Sequence, residues 1–290
     1  MYMRFTLLIF CTALFCLSCT KTELETIPDN IAPPDRTVEI VTIENYVTRT
    51  YILTLGREPN ATEFSNSVSL LQGAGLDSVS KAQFLSGVFG DASYKPQVYL
   101  QNKINLLNNA DTADFTTWIT IFNALMQDST NLYLFAVLQY EIDRLTALQN
   151  AFPEFTNGSI GLDELHRRMC NNYIYDQINM GSANFVISAF QNLLNRNPTI
   201  AEQNGGVSMV DGNNSVLFLE AGLSKDDFLD IITHCNNYYE AQVVFLYQKY
   251  LNRVPSTQEM SSGTYKYANT SDYTLVQKDI LSSNEFIGIE

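Results

Sequence analysis

The chain has 290 residues, 46% of them hydrophobic, which is enough to bury one large core or two smaller ones and too many for a disordered polymer. Its formal charge is -14, from 31 acids against 17 bases, and it has only two histidines. That balance excludes a face built to neutralise phosphates, so nucleic acid and anionic lipid give way to a solvated acidic exterior.

Met1 to Arg4 makes a short positive start, and Phe5 to Leu17 is an apolar run lightly interrupted by Thr6, Cys11, Thr12 and Cys16. Such a run is too short to span a bilayer and reads as the core of a signal peptide. It ends in Cys16-Leu17-Ser18-Cys19, which resembles the lipobox of bacterial lipoproteins: a small residue directly before the cysteine that receives the lipid. Residues 1–18 are then a cleaved signal, and Cys19 is an acylated N-terminus bearing chains such as palmitate. Residues 19–42, with Pro28, Pro33 and Pro34, read as a flexible tether. No later stretch approaches the roughly 18 apolar residues of a spanning helix. The expected address is the cell envelope, through a lipid anchor in a bacterial membrane, the outer one by preference.

Three segments downstream share one pattern without a gap. They are Val47-x3-Tyr51-x3-Leu55-Gly56-Arg57-x-Pro59-Asn60-x-x-Glu63, Val186-x3-Phe190-x3-Leu194-Asn195-Arg196-x-Pro198-Thr199-x-x-Glu202, and Val243-x3-Tyr247-x3-Leu251-Asn252-Arg253-x-Pro255-Ser256-x-x-Glu259. Apolar residues at i, i+4 and i+8 form one helical stripe. Gly or Asn then suits the left-handed residue that ends a helix, proline blocks its continuation, and Asn, Thr or Ser three residues before Glu starts the next helix as a capping box. The motif predicts a helix-turn-helix corner. Its arginine has two readings, a clamp on the turn or a ligand contact, and three copies in three corners favour the clamp.

A second element closes each unit. Ser80-Lys81-Ala82-Gln83-Phe84-Leu85 recurs as Ser224-Lys225-Asp226-Asp227-Phe228-Leu229, and Tyr94 and Tyr238 follow ten residues after Phe84 and Phe228. The last unit ends on Leu281 to Phe286. Unit boundaries fall at 43–108, 181–239 and 240–290, with an atypical unit at 109–180 that lacks the corner. There Phe115 to Met126 and Leu132 to Phe152 have helical spacing, Asp128-Ser129-Thr130 separates them, and Pro153 and Gly158 mark the next break. Trp118 reads as core. The fold class expected is all-α, an array of three to four related helical units.

The order helix, Leu-[Gly/Asn]-Arg-x-Pro-x-x-x-Glu, helix, Ser-x-x-x-Phe-Leu, Ser-x-Glu-Phe resembles the helical domain of phycobilisome linker polypeptides and a related domain of unknown function in secreted bacterial proteins. The resemblance covers roughly 170 of the 290 positions, counted as three repeat modules. It implies a helical module used for assembly or attachment, with no common catalytic centre. A second similarity, to exported proteins that carry cytochrome c modules, stops short of haem, because no Cys-x-x-Cys-His is present.

Chemistry is sparse. Cys170 and Cys235 are the cysteines left in the mature body, each followed by Asn-Asn-Tyr. In an exported protein they could form one disulfide, yet equivalent places in two units need not be close. His166 and Cys170 share a helical face and His234 adjoins Cys235, a set that matches no familiar zinc spacing. Asp211-Gly212-Asn213-Asn214-Ser215 starts like a calcium loop but lacks its later ligands and reads as a polar turn. Asp226, Asp227 and Asp230 crowd a helix start, where carboxylates favour the dipole. Catalytic, metal and cofactor sites are therefore not assigned. The leading expectation is a non-catalytic, membrane-anchored scaffold or adaptor that binds another protein or a surface polymer. The rival is a solute-binding lipoprotein or enzyme with a site in 109–180 using Glu141, Asp143, Glu164 and His166.

Overall fold

The computed structural model describes residues 38–289, so the signal at 1–18, the lipidation site Cys19 and residues 19–37 of the tether lie outside the described residues. The described residues are all-α apart from one short hairpin. Helices α1 (Ile40–Leu55) and α2 (Ala61–Gly73) are the arms of the first corner, followed by α3 (Ser78–Phe89) and α4 (Tyr94–Leu107). Next come α5 (Thr112–Gln127), a 3-10 turn at Ser129–Leu134, α6 (Phe135–Asn157), α7 (Leu162–Cys170) and α8 (Tyr173–Ile178). The second corner joins α9 (Ser182–Leu194) to α10 (Ile200–Val210), and α11 (Lys225–His234) follows. The third joins α12 (Asn236–Leu251) to α13 (Thr257–Thr270), ahead of α14 (Tyr273–Leu281) and α15 (Asn284–Ile287).

The stripes bury as their spacing demands. Val47, Tyr51 and Leu55 are buried on α1, and Val186, Phe190 and Leu194 on α9. Of the three stripe residues on α12 only Val243 is fully buried, with Tyr247 and Leu251 packed against the core from its edge. A small residue four positions after each corner glutamate sets how closely the arms approach. A Cβ on Gly206 would lie 2.8 Å from the Phe228 ring and 2.9 Å from Val186, and one on Gly263 would lie 3.0 Å from Val243. The first motif valine therefore packs directly on the backbone of the second arm, and Ser67 holds the matching place on α2.

One core runs from Ile43 to Ile287 through all the described units. The first and last helices of the described residues meet. Arg49 Nη1 donates to the Phe286 carbonyl at 2.9 Å, Lys81 Nζ donates to the Ser282 carbonyl at 3.0 Å, and Phe286 packs edge-on against Tyr46. Between them Tyr94 donates to Gln277 Oε1, and Gln277 Nε2 donates to Tyr250 Oη at 2.7 Å, all three buried. The early and late helices of the described residues thus share buried side chains.

The atypical stretch departs from its expected limits. α6 runs through Pro153 and ends at Asn157, where Gly158 takes the left-handed conformation at φ 87°. Pro153 removes one helical N–H without stopping the helix, and the glycine supplies the stop. α5 packs mainly on α6 over a separate small core of Phe122, Leu138, Ile142 and Leu145, against which Trp118 and Tyr173 lie. The hairpin β1 (Ser215–Leu217) and β2 (Glu220–Gly222) was not expected at all. Its turn residues, Phe218 and Leu219, have φ 52° and 70°, a pair of left-handed positions normally given to Asn-Gly. Each costs about 1–2 kcal/mol, and the Phe218 ring offsets part of it by packing 6.0 Å from Phe190 and beneath Arg196.

Candidate functional site

The corner arginines are three-way clamps. Arg57 reaches Glu63 at 2.7 and 2.8 Å, Arg196 reaches Glu202 at 2.9 and 2.6 Å, and Arg253 reaches Glu259 at 2.9 and 2.8 Å, each through two parallel N–H bonds. Each also donates to the carbonyl of the next residue, and each lies over the aromatic ring six residues earlier: Tyr51, Phe190 and Tyr247. The glutamates accept in addition from the backbone N–H of Asn60, Thr199 and Ser256, which closes the capping box beside Pro59, Pro198 and Pro255.

A third partner comes from the segment that closes the unit. Asp91 takes Arg57 at 2.8 Å and Glu285 takes Arg253 at 2.7 and 2.6 Å. Asn237, its amide oxygen turned toward the guanidinium, accepts from Arg196 at 3.1 and 3.2 Å. The paired arginines hold Glu202 and Glu259 at pKa about 2. With both terminal nitrogens of the fork engaged, these arginines pin the turn to the closing segment.

The groups considered for chemistry in 109–180 do not converge. Glu141 is held by Arg144, and Glu164 by both Arg167 and Arg168 at 2.6 Å. Asp143 accepts from Gln139 at 2.7 Å. Asp226 accepts from Tyr140 at 2.8 Å and from Asn171, while Asp227 accepts from the Leu223 N–H at 2.9 Å just ahead of α11, which Ser224 caps. Asp211 ends α10 and takes the Ser182 hydroxyl. His234 stands 3.4 Å from both Asp163 and Asp230 on the surface. Among the described residues, no three His, Cys, Asp or Glu side chains gather as a metal site. The disulfide weighed from sequence is absent: Cys170 and Cys235 are both free, buried thiols. Cys235 Sγ instead donates to the Ile232 carbonyl at 3.3 Å, and burial pushes the Cys170 thiol up to about 12.

A cleft of about 360 Å³ lies where α4, α7, α9 and α12 meet. Eight of its lining side chains are primary amides. Gln101, Asn102 and Asn105 come from α4, Gln191, Asn192 and Asn195 from α9 and its cap, and Gln242 and Gln248 from α12. No acid and no base of the Lys or Arg kind lines it. An adjoining shelf carries Phe245 and Ile104, exposed by 41% and 49%, with Lys249 at its edge. Lys249 Nζ donates to Gln101 Oε1 at 3.2 Å, and burial lowers its pKa to about 8.

His166 forms the floor and is the only member of the suspected catalytic set that reaches the cleft. Asn102 spends its N–H on the Val98 carbonyl, so its Oδ1, 2.7 Å from His166 Nε2, must accept. The imidazole is then the Nε2–H tautomer, and its Nδ1 accepts from Tyr238 Oη at 2.9 Å. Burial lowers its pKa to about 4, so it is neutral at ordinary pH with both nitrogens engaged. No nucleophile adjoins it in the cleft lining. Such a floor orients Asn102.

Fold and cleft define a closed helical body with a neutral, amide-lined recess. No protein-family model matches the chain, and neither does any curated protein or solved structure. The described helices include none long and apolar enough to cross a membrane.

Proposed function

We propose that this chain is an exported lipoprotein of the bacterial cell envelope, held to a membrane through acylated Cys19. Its body, an array of three related units with a rebuilt fourth at 109–180, acts as a non-catalytic scaffold or adaptor for another protein or a surface polymer. The observation that carries the non-catalytic reading is the cleft itself. Its lining is amide, aromatic and aliphatic, its one imidazole is spent on structure, and of the candidate acids Glu141 and Glu164 are tied to arginines and Asp143 to Gln139, away from the cleft. The repetition of clamp residues without repetition of a reactive group points the same way.

Labelling of cells with palmitate, followed by membrane fractionation and gentle cross-linking, tests the reading. Label and membrane association are expected in the native chain and lost in Cys19→Ala, together with a stoichiometric cross-linked partner. An unlabelled protein that fractionates identically with and without Cys19 would overturn the anchor. Turnover of a captured ligand would overturn the non-catalytic role.

A further inference from the structure

Hydrogen-bonding capacity in the cleft is left open. Gln242 is only 7% exposed, yet its side-chain amide has no partner among the described residues. Asn105, Asn195 and Gln248 also line the cleft with side-chain amides that bond to no described residue. Gln101 gives its oxygen to Lys249, which leaves its Nε2 for a guest. These are neutral groups that both donate and accept, on three helices facing one recess.

A primary amide presents two N–H donors and a carbonyl in one plane. Neighbouring hydroxyls of a sugar each donate once and accept twice, so amides match them without any charge. Phe245 offers an exposed ring at the mouth of the recess, suited to the C–H face of a pyranose. The chain's acidic balance disfavours anionic polymers, and the recess lacks the arginines that grip carboxylates or phosphates. A volume of about 360 Å³ is at the small end of ligand sites, which run from roughly 300 to 1,000 Å³. It suits one or two sugar rings and is too small for a folded partner.

We propose that this cleft is a binding site for a neutral saccharide, with one ring stacked on Phe245 and its hydroxyls bonded by Gln242, Asn105 and Gln248. The proposal rests on the non-catalytic binding reading above and names the ligand class, a neutral glycan, for the surface polymer.

The test is calorimetric titration of the full lipoprotein, purified in a detergent without a sugar headgroup. The probes are maltotriose, cellotriose and N,N′,N″-triacetylchitotriose, with tetraalanine and trigalacturonic acid as comparators. Saturable binding of a neutral trisaccharide is expected, weakened by about tenfold or more in both Gln242→Leu and Phe245→Ala. Gln242→Leu removes a nearly buried, unpartnered amide, so its melting temperature is expected to hold or rise, which separates lost binding from lost folding. No binding of any of the three neutral probes, or binding indifferent to both substitutions, would overturn the proposal. Binding of tetraalanine or trigalacturonic acid alone would overturn the ligand class and leave a binding protein standing. Cleavage of a bound trisaccharide, seen by chromatography, would overturn the non-catalytic reading and leave the saccharide site in place.

Discussion

Arg196 sits at a corner that recurs three times, and Arg144 lies on α6, inside the one region without that corner. Both guanidiniums cover an aromatic ring, Phe190 at 5.1 Å and Tyr140 at 4.5 Å. Both gather carboxylate and asparagine: Glu202 and Asn237 for one, and Glu141, Asp176 and Asn171 for the other. The two asparagines even belong to the repeated Cys-Asn-Asn-Tyr segments. The settings differ in water. Arg196 keeps 32% of its side chain exposed, whereas Arg144 keeps 6%. A corner whose charges stay partly hydrated can be copied from unit to unit at little desolvation cost, but a buried clamp stands only with all its partners present.

The largest expected effect follows from that contrast. Arg144→Met strands Glu141 and Asp176 in a half-buried place, and a loss of about 3–5 kcal/mol is expected from urea unfolding. Lys225, 2.6 Å from Asp176, keeps the value toward the lower end. An effect no larger than that of a corner arginine would break the comparison.

Next in size is an acid dependence that begins below pH 6.5, above the range in which the corner glutamates titrate. His166 is neutral in the folded protein down to about pH 4, whereas the unfolded chain takes up its proton near 6.5. Between those values the unfolded state binds more protons, so stability is complete above pH 6.5 and lost as pH falls toward 4. The loss amounts to at most about 3 kcal/mol. Urea midpoints at pH 7 and pH 5 should converge in His166→Gln relative to the native chain. Equal pH slopes in the two proteins would count against a buried neutral imidazole.

The repeated half of the comparison is sharpened by its small residues. Gly206→Ala places a methyl against Phe228 and Val186 and is expected to cost about 1–3 kcal/mol by overpacking. Ser67→Ala, which keeps the size of the residue already at that place, is expected to cost less. Thermal unfolding of the two variants side by side decides the point.

The corners were legible because everything that makes them is local. A left-handed Gly or Asn, a proline and a capping box lie within eight residues, and the arginine's first partner is six residues away. The small residue at Ser67, Gly206 and Gly263 was equally regular and was missed, because its meaning depends on a valine across the corner. The hairpin was missed for the opposite reason. Phe218-Leu219 carries no turn signature and holds its left-handed geometry through tertiary packing. The cleft left no trace in periodicity, since its amides come from α4, α9 and α12, which lie far apart in the sequence and meet only in the folded chain. His166 was noticed as a candidate ligand or catalyst, and its bonds to Asn102 and Tyr238 assign it to the floor instead.

The central claim is a division of labour: arginines hold the body, and cleft amides are kept open for a guest. Urea unfolding of Arg196→Lys beside Gln242→Leu tests it most directly. Replacing the fork by a point charge loses the paired bonds to Glu202 and the contact with Asn237, so a lower midpoint is expected, equivalent to about 1–2 kcal/mol. Gln242→Leu is expected to leave the midpoint unchanged or raise it. A native-like midpoint for Arg196→Lys, or a clear fall for Gln242→Leu, would contradict the division.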